Sequence, residues 1–285
     1  MVENRPWLTW LTHAVLVIGV LVVAFPIYVT FVASTHALFD LVQVPMPLWP
    51  GDKFVDNYLQ ALTAGLGEGS GTQAIGAARM LFNSLVMALG IAVGKIAISI
   101  IAAFAIVYFR FPFRMTAFWL IFITLMLPVE VRILPTYKVV ADLGLLDTYA
   151  GLIVPLIASA TATFMFRQVF LAIPDELTEA ARIDGAGPMR FFFDIVLPLS
   201  RTNIAALFVI LFIYGWNQYL WPLIITTDQS MLTIIIAIQR MLAVGDDQAE
   251  WQIVMATAML AMLPPVVVVV TMQRLFVKGL TGTEK

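Results

Sequence analysis

The chain has 285 residues, of which 61% are hydrophobic and only 12% charged, and its mean hydropathy is +0.94. A soluble domain carries roughly 25% charge and about 45–50% apolar residues, so this composition excludes a water-soluble globular protein and points to a polytopic membrane protein. The net charge of -2 leaves no basic stripe for a nucleic acid, and with Cys 0 and His 2 the chain lacks the means for disulfides, thiolate chemistry or a histidine-rich metal site.

A helix needs about 20 apolar residues, at roughly 1.5 Å each, to cross a bilayer core. The first such run is Ala14–Ala33, too long for a signal-peptide core and without a persuasive A-x-A site, so it reads as an uncleaved anchor. The segment Thr35–Arg79 follows, beginning with Pro45, Pro47 and Pro50 and becoming glycine-rich at Gly65, Gly67, Gly69 and Gly71. No strand precedes these glycines, so they read as a flexible loop rather than a nucleotide cradle. Further runs predict spans over Met80–Val107, Met115–Leu134, Tyr149–Leu171, Asn203–Ile225 and Ile253–Thr271, making six in all.

Placing both termini in the cytoplasm puts Arg5, Arg110, Arg114, Arg182, Arg190, Arg201, Arg274, Lys278 and Lys285 inside, against Lys53, Arg79, Lys138 and Arg240 outside. That is the bias expected of cytoplasmic loops. Trp49, Trp216, Trp221 and Trp251 then fall near outer span ends, where an interfacial aromatic belt is expected.

No catalytic signature survives inspection. The stretch Gly90-Ile-Ala-Val-Gly94-Lys95-Ile96 lacks the spacing and the final hydroxyl of a phosphate-binding loop. It reads instead as G-x-x-x-G, two small residues one turn apart that admit a neighbouring helix. H-E-x-x-H and G-x-S-x-G are absent as well, so the expectation is neither an enzyme nor a cofactor protein.

Ionisable groups at membrane depth are expensive and therefore candidates for function. Counted from the inner span ends, Lys95 lies about 18 Å and Glu130 about 22 Å up, on adjacent antiparallel spans. They form either a buried ion pair locking two spans together or part of a water-filled substrate path. Arg132 lies farther out, placed either to snorkel to the headgroups or to face a cavity and meet an anion. Pro26, Pro128, Pro155 and Pro264-Pro265 interrupt spans, as is common in transporters.

The segment between the fourth and fifth spans, Ile173–Pro198, predicts two short helices. Pro174 suits a first helical position, Asp175 and Glu176 suit the positive end of the helix dipole, and Gly185 suits a left-handed terminator. Pro188 starts the second helix and Pro198 marks its end. The first helix is expected to expose Ala180 and Ala181 beside Glu179 as a small, register-fixing knob. Phe191, Phe192 and Phe193 are the feature that would favour a hairpin lying at the headgroups instead.

The order Glu179-Ala180-Ala181, Asp184-Gly185-Ala186, Ile195 and Leu197-Pro198 resembles the EAA loop of ABC-importer permeases. By that resemblance Glu179, Ala180, Ala181, Asp184 and Gly185 belong to a coupling helix seated in a cleft of a separate ATPase. The tail Gln273–Gly282 looks like that of maltose-type inner permeases of the carbohydrate-uptake branch. Within that branch, Glu3–Thr9, Leu127-Pro-Val-Glu-Val-Arg-Ile133 and Tyr214–Pro222 are similar to the permeases of sn-glycerol-3-phosphate importers. The resemblance implies an all-α inner-membrane permease, 1–285 as one domain. Its implied partners are a second permease, an ATPase dimer and an outer solute-binding protein. It also implies alternating access to a small-molecule substrate, sn-glycerol-3-phosphate or, as the alternative, a neutral sugar; an ion-coupled secondary transporter is the rival from another class, and the charges at membrane depth, Arg132, Lys95 and Glu130, are the candidates for the path.

Overall fold

The structure, a computed structural model, describes residues 6–64, 75–124, 127, 129–242 and 249–281, without the side chains of 6, 129, 130 and 276–281. The described chain is helical: α1 Pro6–Ala33, α2 Leu38–Leu41, α3 Phe54–Ala64, α4 Ala77–Tyr108, α5 Arg114–Ile123, α6 Val129–Asp142, α7 Tyr149–Ile153, α8 Ala160–Leu171, α9 Asp175–Ile183, α10 Pro188–Phe191, α11 Leu197–Leu199, α12 Arg201–Trp216, α13 Leu220–Ile225, α14 Ile234–Leu242 and α15 Trp251–Thr281.

Three helices are long and apolar enough to cross a bilayer, namely Trp7–Ala33, Ala77–Tyr108 and Trp251–Leu275. Two bent pairs, Tyr149–Leu156 with Ala160–Leu171 and Pro188–Leu199 with Arg201–Trp216, bring the number to as many as five among the described residues where each pair counts as one span. The fourth expected span is broken by 51° because Ser159 caps a new helix, its hydroxyl accepting from the Ala162 N–H, just after Pro155 has ended α7 in a 3-10 turn. The fifth stops at Trp216, and α13 follows after a turn, in place of one helix to Ile225. The third is divided into α5 and α6.

The chain forms two compact units, Met1–Arg79 with Ala237–Met262, and Met80–Ile236 with Leu263–Lys285. In the first, α1 is exposed from Trp7 to Tyr28. Its far end is closed by buried Asn57, whose amide donates to the carbonyls of Ser34 and His36 at 2.9 Å each. Thus Thr35–Arg79 is not wholly irregular: α3 packs Ala61 against Met241, Ile253, Val254 and Ala256. Gly65, Gly67, Gly69 and Gly71 lie outside the described residues.

In the second unit, α4 is the central helix. A Cβ on Gly90 would meet Ile153 Cδ1 at 2.6 Å, and one on Gly94 would meet Ile157 Cγ2 at 2.5 Å. The G-x-x-x-G pair is therefore the close-approach surface the sequence predicts. On another side Gly215 of α12 lies against the Ala88 backbone, a Cβ there falling 3.0 Å from Ala88 Cα. Met87 and Ile91 of α4 share a core with Val140, Leu152, Trp221, Ile225 and Met231.

Two polar knots hold this unit. Asn83, fully buried, donates to the carbonyls of Ser230 and Leu232 and accepts the Tyr149 hydroxyl at 2.7 Å. Asp147, in the turn before α7, accepts from the Thr227 N–H and hydroxyl at 2.6 Å each and from the Asp228 N–H at 2.9 Å. Slight burial works against the Asp147 charge, but these hydrogen bonds outweigh it and hold the carboxyl below its ordinary value. The expected aromatic belt is corrected for two members. Trp216 and Trp221 are buried, and the Trp221 indole donates to the Gly151 carbonyl at 3.1 Å, whereas Trp49 and Trp251 are exposed.

Candidate functional site

The short helix α9 is built as its sequence dictates, with one shift at its start. Pro174 is the residue before the first turn, and Asp175 and Glu176 occupy that turn, where they complement the helix dipole; Arg182 lies in the last. At the other end Gly185 takes φ +70, the Gly185 N–H bonds to the Arg182 carbonyl and the Ala186 N–H to the Ala181 carbonyl. This is a Schellman motif, and it fixes where the helix stops.

Glu179, Ala180, Asp184 and Gly185 are exposed, and so is Ile183, at 85%. Ala181, expected on that exposed knob, is instead buried at the root of the helix. It lines a cavity of about 260 Å³ with Phe104, Tyr108 and Phe191. A second cavity of about 390 Å³ is lined by Asp175, Glu179, Arg110, Arg114 and Arg182. The helix α9 thus offers one face and roots the other against the end of α4.

That root is aromatic. Phe104 lies 4.7 Å from Phe192, and Tyr108 lies 5.1 Å from Phe191, centroid to centroid. The Tyr108 hydroxyl donates to the Phe170 carbonyl at 3.2 Å, tying in α8. Phe191 and Phe192 are therefore interior, and only Phe193 is exposed, which removes the headgroup-hairpin reading of the three phenylalanines. From α10 the chain widens into a π-helix over Phe192–Val196. Pro198 offers no N–H and would press on the Asp194 carbonyl in a regular α-helix, which accounts for the wider turn.

The second cluster lies within the span. Lys95 is only 7% exposed, and its ammonium lies 3.8 Å from the centroid of the Tyr214 ring. Arg132 is exposed, yet near enough to act on the Lys95 charge. The Glu130 side chain lies outside the described residues, and with it the expected Lys95–Glu130 pairing. Sequence reasoning missed Phe104 and Tyr108, and it met Tyr214 only as the first residue of the Tyr214–Pro222 resemblance, with no role. The only signal of Phe104 and Tyr108 was aromatic residues at apolar positions, which hydropathy cannot tell from lipid-facing ones.

Apolar helices long enough to cross a bilayer, one of them packed through glycines and rooting an exposed, capped helix, are the features a multi-pass membrane subunit combines. The family described as the binding-protein-dependent transport system inner membrane component matches residues 95–282, and the chain belongs to it. It is a membrane permease component, not an enzyme. Over 285 residues, covering all of both chains, it is 63% identical to the sn-glycerol-3-phosphate transport system permease protein UgpE of Agrobacterium fabrum. It is 61% identical to the protein of that name in Rhizobium meliloti and 57% to that in Escherichia coli O1:K1, again over the whole of both chains. A solved bacterial ABC transporter involved in the import of the acidic polysaccharide alginate shares the fold. There the TM-score is 0.81 at 19% identity, covering 96% of this chain and 98% of that one.

Proposed function

We propose that this chain is one of two permease subunits of an ABC importer that moves sn-glycerol-3-phosphate into the cytoplasm by alternating access. The observation that carries the substrate is the 57–63% identity, over the whole chain, to relatives bearing that name. In this reading residues 1–285 act as one permease domain with six spans and both termini in the cytoplasm. The partners are a different permease, a dimer of ATPase chains and an outer solute-binding protein.

The chain's own contribution is mechanical. Glu179, Ala180, Asp184 and Gly185, with Ile183 beside them, present a docking surface to the ATPase, while Ala181 seats the helix on its aromatic root. When ATP closes the partner subunits, the displaced α9 acts through Phe191 and Phe192 on Phe104 and Tyr108, and so on α4. This is a two-state change biased from another chain. Arg132, Lys95 and Glu130 are the candidates lining the path, where cationic groups favour an anionic solute.

The test is ATP hydrolysis by the reconstituted complex with binding protein loaded with glycerol-3-phosphate, loaded with maltose, or empty. Stimulation by glycerol-3-phosphate alone, lost in Glu179→Lys, is the expected result. Stimulation by maltose alone would discard the phosphate, and indifference to any solute would discard the importer.

A further inference from the structure

Among the described residues Lys95 is the only charged side chain that is buried. The main chain explains where its ammonium goes. A helical side chain leans back toward its own N-terminus, so Lys95 reaches up α4 toward the level at which Gly215 brings α12 against Ala88. Gly215 follows Tyr214 in sequence, and the close helix approach therefore carries the Tyr214 ring to the ammonium, 3.8 Å from centroid to nitrogen. Within about 6 Å a ring face attracts a cation.

What the contact leaves undone is the informative part. A carboxylate would neutralise Lys95, and among the described residues none lies within ion-pair distance of it. A ring attracts the ammonium through its quadrupole but supplies no negative charge to pair with it. Arg132 adds a second positive charge instead of removing the first. A buried lysine whose task was only to lock two spans would gain from a counter-charge, since an uncompensated buried charge is strongly unfavourable. Here the site is left for an anion to complete.

We propose that Tyr214 is a positioning residue that holds Lys95 as a charged, unneutralised anion contact in the solute path, with the ring rather than the hydroxyl as its working part. The proposal rests on the transport reading above and deepens it: Lys95, held by Tyr214, meets the phosphate, and exposed Arg132 adds to the same field.

The experiment uses the full complex in liposomes with glycerol-3-phosphate-loaded binding protein, recording labelled uptake and ATP hydrolysis together. Wild type comes first. If it does not move glycerol-3-phosphate, the transport reading fails whatever Tyr214 does. With wild type active, Tyr214→Leu and Lys95→Met should each cut uptake about tenfold, the scale of a lost cation–π contact to a buried ammonium, while ATP hydrolysed per solute moved rises. Tyr214→Phe and Lys95→Arg should retain most uptake. A merely structural role would lower uptake and hydrolysis together and leave their ratio alone, which overturns the proposal. So does full uptake by Tyr214→Leu, or by Lys95→Met should the leucine variant fail to assemble. Recovery of the Lys95→Met loss by adding Glu130→Gln would show a locking ion pair and overturn it too.

Discussion

The helices α1 and α4 are alike on paper, 28 and 32 residues of apolar sequence with glycine in their middles, but they do opposite work. Around Gly19 of α1 nothing lies within 4 Å of an added Cβ, and the helix is exposed from Trp7 to Tyr28. Gly90 and Gly94 of α4 are pressed against Ile153 and Ile157. Their polar residues divide in the same way. The Thr12 and Thr30 hydroxyls of α1 return to carbonyls four residues back in their own helix, whereas Asn83 of α4 reaches two loop carbonyls and a tyrosine. Apolar character admits a helix to lipid. Small residues and outward-reaching polar groups make it a hub of packing.

The comparison breaks most sharply at the glycines. Gly94→Leu should destabilise the protein by about 3 kcal/mol or more through overpacking against Ile157. Gly19→Leu, where helix propensity favours leucine and nothing crowds the site, should leave stability unchanged or raise it by up to about 1 kcal/mol. Thermal unfolding in detergent measures both, and equal effects would refute the division of labour.

A smaller contrast is expected at the polar groups. Asn83→Ala strips partners from two carbonyls and the Tyr149 hydroxyl, an expected loss of about 1–3 kcal/mol, while Thr12→Ala stays within about 0.5 kcal/mol. If denaturation midpoints of the two variants coincide, Asn83 is not the knot described.

The smallest effect concerns Asp147, in the turn leading to α7, whose Leu152 and Ile153 pack on α4. Its folded value lies below the ordinary 3.8, so its stabilisation is present above about pH 4 and is lost as pH falls through that lower folded value. Being only slightly buried, the group contributes little. Asp147→Ala should lower the melting temperature by about 2 °C or less at pH 7 and by nothing at pH 2. A difference that persists unchanged in acid would mean that the carboxylate is not the cause.

Much of α9 was legible in its amino acids, since Asp175, Glu176 and Gly185 act through local backbone chemistry that needs no neighbours. The G-x-x-x-G pair was legible for the same reason, as absence of a side chain is a local fact. Burial was not. Hydropathy assigns Trp216, Trp221, Phe191 and Phe192 equally well to lipid, to headgroups or to a protein interior, because it carries no information on rotation about the helix axis. The breaks near Ser159 and Asn217 were missed for a related reason: a polar residue inside an apolar run reads as a tolerated exception until its hydrogen bonds are traced. Lys95 was legible as costly, but the ring that holds it lies 119 positions away in sequence.

The π-helical stretch at Phe192–Val196 has a consequence for how this chain can vary. A π turn amounts to an α-helix carrying one surplus residue. Each residue of an α-helix advances the chain by about 100° around the axis. One residue in this stretch therefore sets the angular phase between the short helices before it and α12 after it. Single-residue length changes here act as rotations of one element against the other, which makes this stretch the point where the chain tolerates substitution of side chains far better than gain or loss of a position.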